Sequence, residues 1–241
     1  GKIWKYYDMA SVTKIMFTVP WVMKAVEDKK VELKKPISNY LPWYPFDPSV
    51  ESVLNHTSGL DWWQPFYKHF EESMDEREYR KNQLKRMLIH HPPSEKQKKS
   101  VYSDINFMLL GFLIEEVYEK EWTVLAKEYF SSLGLDKEIF FQPDNKPVYK
   151  KSQYAPTEDC TWRKEIMQGQ VHDQNTYALG GVAPQAGLFA TIGAVSQWGL
   201  EQRKAYQGKS KWISQNTMRK FAARATTTEE GDWGLGFMIP T

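Results

Sequence analysis

Ser11-Val12-Thr13-Lys14 sets a hydroxyl and an amine three positions apart at the start of an apolar segment. On a helix that spacing puts both side chains on one face, close enough to touch. A serine beside a cation is a nucleophile with a partner for its proton, and the N–H groups of a helix start favour the alkoxide that forms during attack. The chemistry such a pair suits is nucleophilic attack. Alone, Ser-x-x-Lys is a weak signal, because both residue types are common. Tyr102-Ser103-Asp104 precedes a second apolar segment; a phenol there can point into a cleft, and a nearby ammonium stabilises its phenolate. In isolation the same triplet reads as a ring packed on the core with Asp104 as N-cap.

The elements that must position these groups are mostly helical. Residues 10–28 read as one buried helix, apolar around most of its circumference, with Asp8 a candidate N-cap and Pro20 expected to kink it or leave the Met16 carbonyl without its usual donor. The proline-rich passage 36–48 reads as loop with short helical turns. Helical spacing then marks 49–55, 72–89 (with a charged exposed face), 103–118 and 122–130. Residues 142–170 carry three prolines and few periodic apolar positions, so they read as a long surface connection. The small-residue stretch from Gly180 to Ala190 suggests tightly packed backbone, and helices are expected at 194–206 and 214–223, with a strand at 233–239.

Four motifs in order carry a resemblance: Met9-Ala10-Ser11-Val12-Thr13-Lys14; Asn55-His56-Thr57-Ser58-Gly59-Leu60; Tyr102-Ser103-Asp104; and Val171-His172-Asp173 through Gly180-Gly181 to Ala186-Gly187-Leu188-Phe189. Together the chain resembles the serine β-lactamase and penicillin-binding-protein superfamily, in its class C β-lactamase-like branch with esterases and D-stereospecific peptidases. The resemblance implies Ser11 as the acylated nucleophile, Lys14 as its proton-handling partner and Tyr102 as the tyrosine of a Tyr-x-Asn motif. It carries Asp104 over as a substrate-binding position, where that motif has Asn and esterase-like members have Tyr-Ser-Asp. The family's third motif, Lys or His then Thr or Ser then Gly, does not occur before Thr241; its expected place is just beyond the strand at 233–239. The sheet is therefore expected to be incomplete within residues 1–241.

The remaining candidates are weaker. His56 reads as a structural histidine in a turn, and Ser58 lacks the Gly-x-Ser-x-Gly setting of a hydrolase elbow. His172-Asp173 and His90-His91 have no further ligands at metal spacing, so neither metal nor cofactor is expected. Trp62, Trp63 and Tyr67 are candidates to line a cleft for a bulky substrate. Lys96, Lys98 and Lys99 read as a solvated loop, with attraction of an anionic substrate as the sharper alternative.

With 241 residues, 32 Lys plus Arg against 30 Asp plus Glu, and a net charge of +2, the chain has no basic field suited to nucleic acid. The single Cys160 excludes an internal disulfide framework. No run approaches the roughly 18 apolar residues of a membrane span, and no signal peptide is read at Gly1. The expectation is an α+β protein in which a helical lobe (36–170) packs on an antiparallel-sheet lobe (1–35 and 171–241) containing the nucleophile helix. A small-molecule or peptide substrate would lie in the groove between them. Expected substrates are β-lactams, cell-wall D-alanyl peptides or simple esters. By family resemblance the place is periplasmic, secreted or cell-envelope. The alternative is a weakly active or inactive relative that binds wall peptides or a partner. Oligomeric state is not legible.

Overall fold

The helix that carries the Ser-x-x-Lys motif is not regular. In the computed structural model, which describes residues 3–70, 76–94, 100–228 and 231–239, Lys14–Thr18 form one wide turn that runs into α1 (Val19–Glu27). The Val19 N–H donates to the Lys14 carbonyl, five residues back. Pro20, the second residue of α1, has no N–H to offer Met16, so the ladder cannot keep the usual four-residue spacing there and opens instead. The buried face (Met16, Phe17, Val19, Val22, Met23) anchors both parts in one core.

Short helix α2 (Val50–Leu54) starts where Ser49 accepts the Ser52 N–H. Helix α3 (Arg77–Leu88) is shorter than the sequence spacing suggests; residues 71–75 lie outside the described set. Its charge is not all on the solvent side, for Lys81 is buried against Glu115 and sits 4.6 Å over the Trp122 ring. Helix α4 (Asp104–Tyr118) is the centre of the molecule. Every residue from Ile105 to Ile114 is buried, and the Ser103 hydroxyl, not Asp104, caps it by accepting the Asn106 N–H. It packs on α1 and α2 and is followed by α5 (Trp122–Ser132).

The sheets are small and antiparallel. The first has order β1 (Tyr7–Asp8), β5 (Phe189–Ala190), β2 (Ile139–Phe140), with Tyr7 and Ile139 both opposite Ala190. The connection 142–170 is not structureless: it holds a hairpin, β3 (Pro156–Cys160) and β4 (Glu165–Gln168), with a register shift between Pro156 and Asp159. That irregularity breaks the strict alternation by which strands are recognised. Helix α6 (Gln174–Ala178) follows, then α7 (Ile192–Tyr206) and α8 (Gln215–Ala222), capped by Thr191 and Ser214. The third sheet is β6 (Thr226–Thr228), β7 (Gly231–Trp233) and β8 (Met238–Ile239). The expected strand at 233–239 is thus the turn of a hairpin, tied to α2 by the Gly236 N–H on the Leu54 carbonyl.

One contact fixes α4 against the segment before β5. A Cβ on Gly111 would stand 2.2 Å from Pro184 Cγ, so the Pro184 ring lies directly on the helix backbone. No described helix is long and apolar enough to cross a membrane.

Candidate active site

Ser11 is exposed, in the turn just before Lys14–Thr18. Its neighbour Ala10 has φ of 43°, left-handed backbone that costs a non-glycine residue about 1–2 kcal/mol. Asp8 holds this turn: its two oxygens accept the Ala10 and His172 N–H groups, each at 2.7 Å. Asp8 is therefore not a helix N-cap, because it sits on β1 before the bend rather than at the first helical turn. Burial raises its pKa above the ordinary carboxylate range. The Val12, Thr13 and Lys14 N–H groups donate to the Met9, Ala10 and Ser11 carbonyls. Of the donors expected at a helix start, the Ser11 N–H keeps no partner among the described residues.

Lys14 is 2% exposed. Its Nζ donates to Ser11 Oγ at 2.8 Å and to the Gln185 carbonyl at 3.1 Å, and lies 2.6 Å from Asp104 Oδ1. Three acceptors match the three N–H bonds of an ammonium, which has no lone pair to receive a proton. Burial raises the Asp104 pKa, and the Lys14 charge opposes that shift. The carboxylate that the sequence suggested for substrate is thus engaged by the lysine. Gln185 is fully buried and is held in turn: its Nε2 donates to Thr176 Oγ1 at 3.1 Å, and Asp173 caps α6 by accepting from Thr176.

Tyr102 is 42% exposed, with its ring centroid 5.0 Å from Lys14 Nζ. It rests on His56 at 4.9 Å and on Trp233 at 5.7 Å, and those two rings are themselves 4.7 Å apart. His56 Nδ1 accepts the Ser103 N–H at 3.1 Å. A backbone amide can only donate, so the ring proton is assigned to Nε2. Burial, and then the Lys14 charge, push the His56 pKa down to about 3. A neutral, weakly basic ring positions its neighbour; it does not move protons near neutral pH. Asn106 stands 3.2 Å from the same nitrogen and accepts the Ser58 hydroxyl at 2.6 Å. Ser58 is a strut of this turn.

The structure therefore brings Ser11, Lys14, Tyr102 and Asp104 together, and it adds groups that the spacing of motifs did not single out: the Gln185 carbonyl, Asn106 and Trp233. Asn106 carried a signal, a polar residue amid Ile105, Phe107 and Met108 on an apolar helix. His172 pairs with Glu158 at 3.3 Å, and His91 lies 4.0 Å from Asp61. The Trp62 carbonyl accepts the Asp104 N–H at 2.9 Å, which places the Trp62–Trp63–Tyr67 loop beside the site. Lys96, Lys98 and Lys99 lie outside the described residues.

The Beta-lactamase family model matches residues 5–240. The chain belongs to that family. Among curated proteins, this family member is 28% identical over 260 residues to a putative D-alanyl-D-alanine carboxypeptidase of Escherichia coli K12, covering 97% of this chain and 58% of that one. It is 30% identical over 212 residues to an N-acetylmuramyl-L-alanine amidase of Bacillus subtilis 168, covering 76% and 46% respectively. The chain thus spans about half the length of these relatives. By structure it matches a D-stereospecific amidohydrolase from Streptomyces sp. with a TM-score of 0.72 at 17% identity, over 98% of this chain and 71% of that one. A penicillin binding protein from Bacillus halodurans gives 0.72 and 17%, over 98% and 70%. At that identity these structures speak for the fold.

Proposed function

We propose that this chain carries the acyl-transfer centre of a serine hydrolase, with Ser11 as nucleophile and D-alanyl peptides of the cell wall as substrates, β-lactams and simple esters being further acyl donors of the same chemistry. One observation carries the reading: a buried ammonium, fixed by Asp104 and the Gln185 carbonyl, donates to the hydroxyl of an exposed serine at 2.8 Å. The substrate would lie in a groove between a helical lobe (36–170) and a sheet-containing lobe (1–35 and 171–241). The name of the Escherichia coli relative supports the D-alanyl choice, and the names of both relatives support a place in the cell envelope.

With three acceptors around its Nζ, Lys14 serves as an electrostatic partner for the developing Ser11 alkoxide. Tyr102 then moves the proton. Ser11 Oγ forms its bond to the carbonyl carbon while its proton passes to the phenol oxygen; the phenol's own proton goes to the leaving nitrogen as the C–N bond breaks. Water repeats the sequence on the acyl-enzyme in reverse roles. The Ser11 N–H supplies one donor to the oxyanion, and Asp104 acts on substrate through the lysine it holds.

The test is covalent labelling. A fluorescent penicillin or a fluorophosphonate should add one adduct to the full-length protein by intact mass, and Ser11→Ala should abolish it. No adduct on the parent, or one that persists in the alanine variant, overturns the reading and leaves a binding module for wall peptides in its place.

A further inference from the structure

Beyond Trp62 the aromatic residues continue away from the site. Trp62 and Trp63 have centroids 5.8 Å apart, Trp63 and Tyr67 6.4 Å, Tyr67 and Trp162 4.6 Å, and Trp162 and Tyr177 5.8 Å. The run ends at a cavity of about 610 Å³ lined in part by Tyr67, Trp162 and Tyr177, with Lys68 and Lys146 on its rim. None of Ser11, Lys14, Tyr102 or Asp104 lines it. Its size is that of a small-molecule site.

The cavity is built. The Tyr67 N–H is fixed by Asn175 Oδ1 at 2.9 Å, and Asn175 Nδ2 returns to the Gln64 carbonyl at 2.9 Å. Asn175 is itself 1% exposed. The Arg163 guanidinium lies 5.5 Å from the Trp162 centroid and 4.8 Å from that of Tyr177, and it is anchored on the Val171 and His172 carbonyls. The rings are therefore held before any ligand arrives. The cavity and the chemical site share α6, which supplies Tyr177 and Ala178 to the lining of one and Thr176, through Gln185, to the other.

Charge decides the class of ligand. Among the described residues Lys68 and Lys146 are exposed and meet no carboxylate, whereas the acidic lining residue Asp144 stands 3.6 Å from Arg77. Two ammonium ions without a carboxylate partner among the described residues attract carboxylates. Fixed aromatic faces favour flat surfaces rich in C–H, as pyranose rings present, and leave their hydroxyl groups to water and to polar rims. A ligand with both features is an acidic sugar–peptide. We propose that this cavity binds the carboxylate-bearing sugar–peptide part of a wall strand whose D-alanyl end is presented to Ser11. The proposal rests on the acyl-transfer reading of Ser11 and names the part of the substrate that lies outside the scissile bond.

The experiment compares two substrates with the same D-alanyl-D-alanine end: a disaccharide pentapeptide and a short acetylated tripeptide. Their kcat/KM values are measured on the full-length parent, on the double variant Lys68→Gln/Lys146→Gln and on Trp162→Ala, each checked for an unchanged melting temperature. The ratio of long to short should fall about fivefold to tenfold in the double variant at low salt, and the fall should shrink as salt rises. Trp162→Ala should lower the ratio at every salt concentration. An unchanged ratio, or equal losses on both substrates, overturns the proposal. A second arm separates it from the reading beneath it: calorimetric binding of the disaccharide pentapeptide to Ser11→Ala needs no turnover. Binding to Ser11→Ala that weakens when Lys68→Gln and Lys146→Gln are added upholds the cavity even if neither substrate is cleaved, and absence of binding to Ser11→Ala while the parent is acylated by penicillin sinks the cavity alone.

Discussion

Two ends of one loop obey opposite rules. At the Trp62 end lies a corner in which the buried Lys14, 2% exposed, has three acceptors around its Nζ. At the Tyr67 end lies an open cavity whose lysines reach into water. In the corner, low dielectric makes each charge strong and each misplacement expensive; at the rim, water and salt weaken the same kind of charge. On the proposed reading, reaction and recognition are thereby separated: the corner is exact about one bond while the rim tolerates variety in what is attached to it.

The comparison breaks most visibly at Lys14. Lys14→Met leaves the Asp104 carboxylate without its cation, so penicillin acylation should fall by at least about 10³-fold and the melting temperature should drop as well, removal of one member of a buried pair costing about 3 kcal/mol. Ser11→Ala, by contrast, should abolish acylation with little change in melting, because the serine is exposed. A Lys14→Met protein that melts like the parent would show that the pair is solvated after all.

Tyr102→Phe keeps the ring on His56 and Trp233 and removes only the phenol oxygen. Hydrolysis of p-nitrophenyl acetate should slow by about 10²-fold with little change in melting, as loss of a proton carrier implies. Parental rates would reduce Tyr102 to a packing role.

His56→Gln sharpens the comparison by removing the ring on which Tyr102 rests. Loss of the Ser103 N–H acceptor should cost about 1–3 kcal/mol, and kcat should fall about tenfold with KM less affected. The pH dependence has a definite sign. The folded His56 pKa, about 3, is below the ordinary histidine value of 6.5, so at pH between those values the unfolded chain binds the proton and the folded one does not. This contribution is complete above about pH 6.5 and is lost as pH falls toward 3. Thermal melts from pH 7 to 4 should fall less steeply for the glutamine variant than for the parent. The rim lysines, with their severalfold effect that fades in salt, stand at the small end of the same scale.

The corner was legible because its parts are short motifs. Ser11 and Lys14 are three residues apart, Tyr102 and Asp104 two, and helices α4 and α5 carry plain 3.6-residue periodicity. What joined them was less visible. The Gln185 carbonyl is a backbone atom and leaves no mark of type. The cavity draws on residues 67–68, 144–146, 162 and 177–178, which no spacing rule connects. The hairpin β3–β4 was hidden by its bulge and by Pro156, and the wide turn at Lys14–Thr18 showed only as Pro20, a residue that announces a break without saying which way the chain will relax.

Gly111 has no polar atom near the chemistry, yet it acts as a spacer gauge. Two of the acceptors around Lys14 belong to different bodies: Asp104 begins α4, and Gln185 follows the proline that rests on that helix at Gly111. The thickness of one absent methyl group therefore sets the width of the cradle in which the ammonium sits. A side chain there would push the two bodies apart and lengthen contacts several residues away, while every named partner stayed in place. The dimension of this site is kept by packing, and drift in the sequence could detune it from a position that no inspection of charged groups would mark.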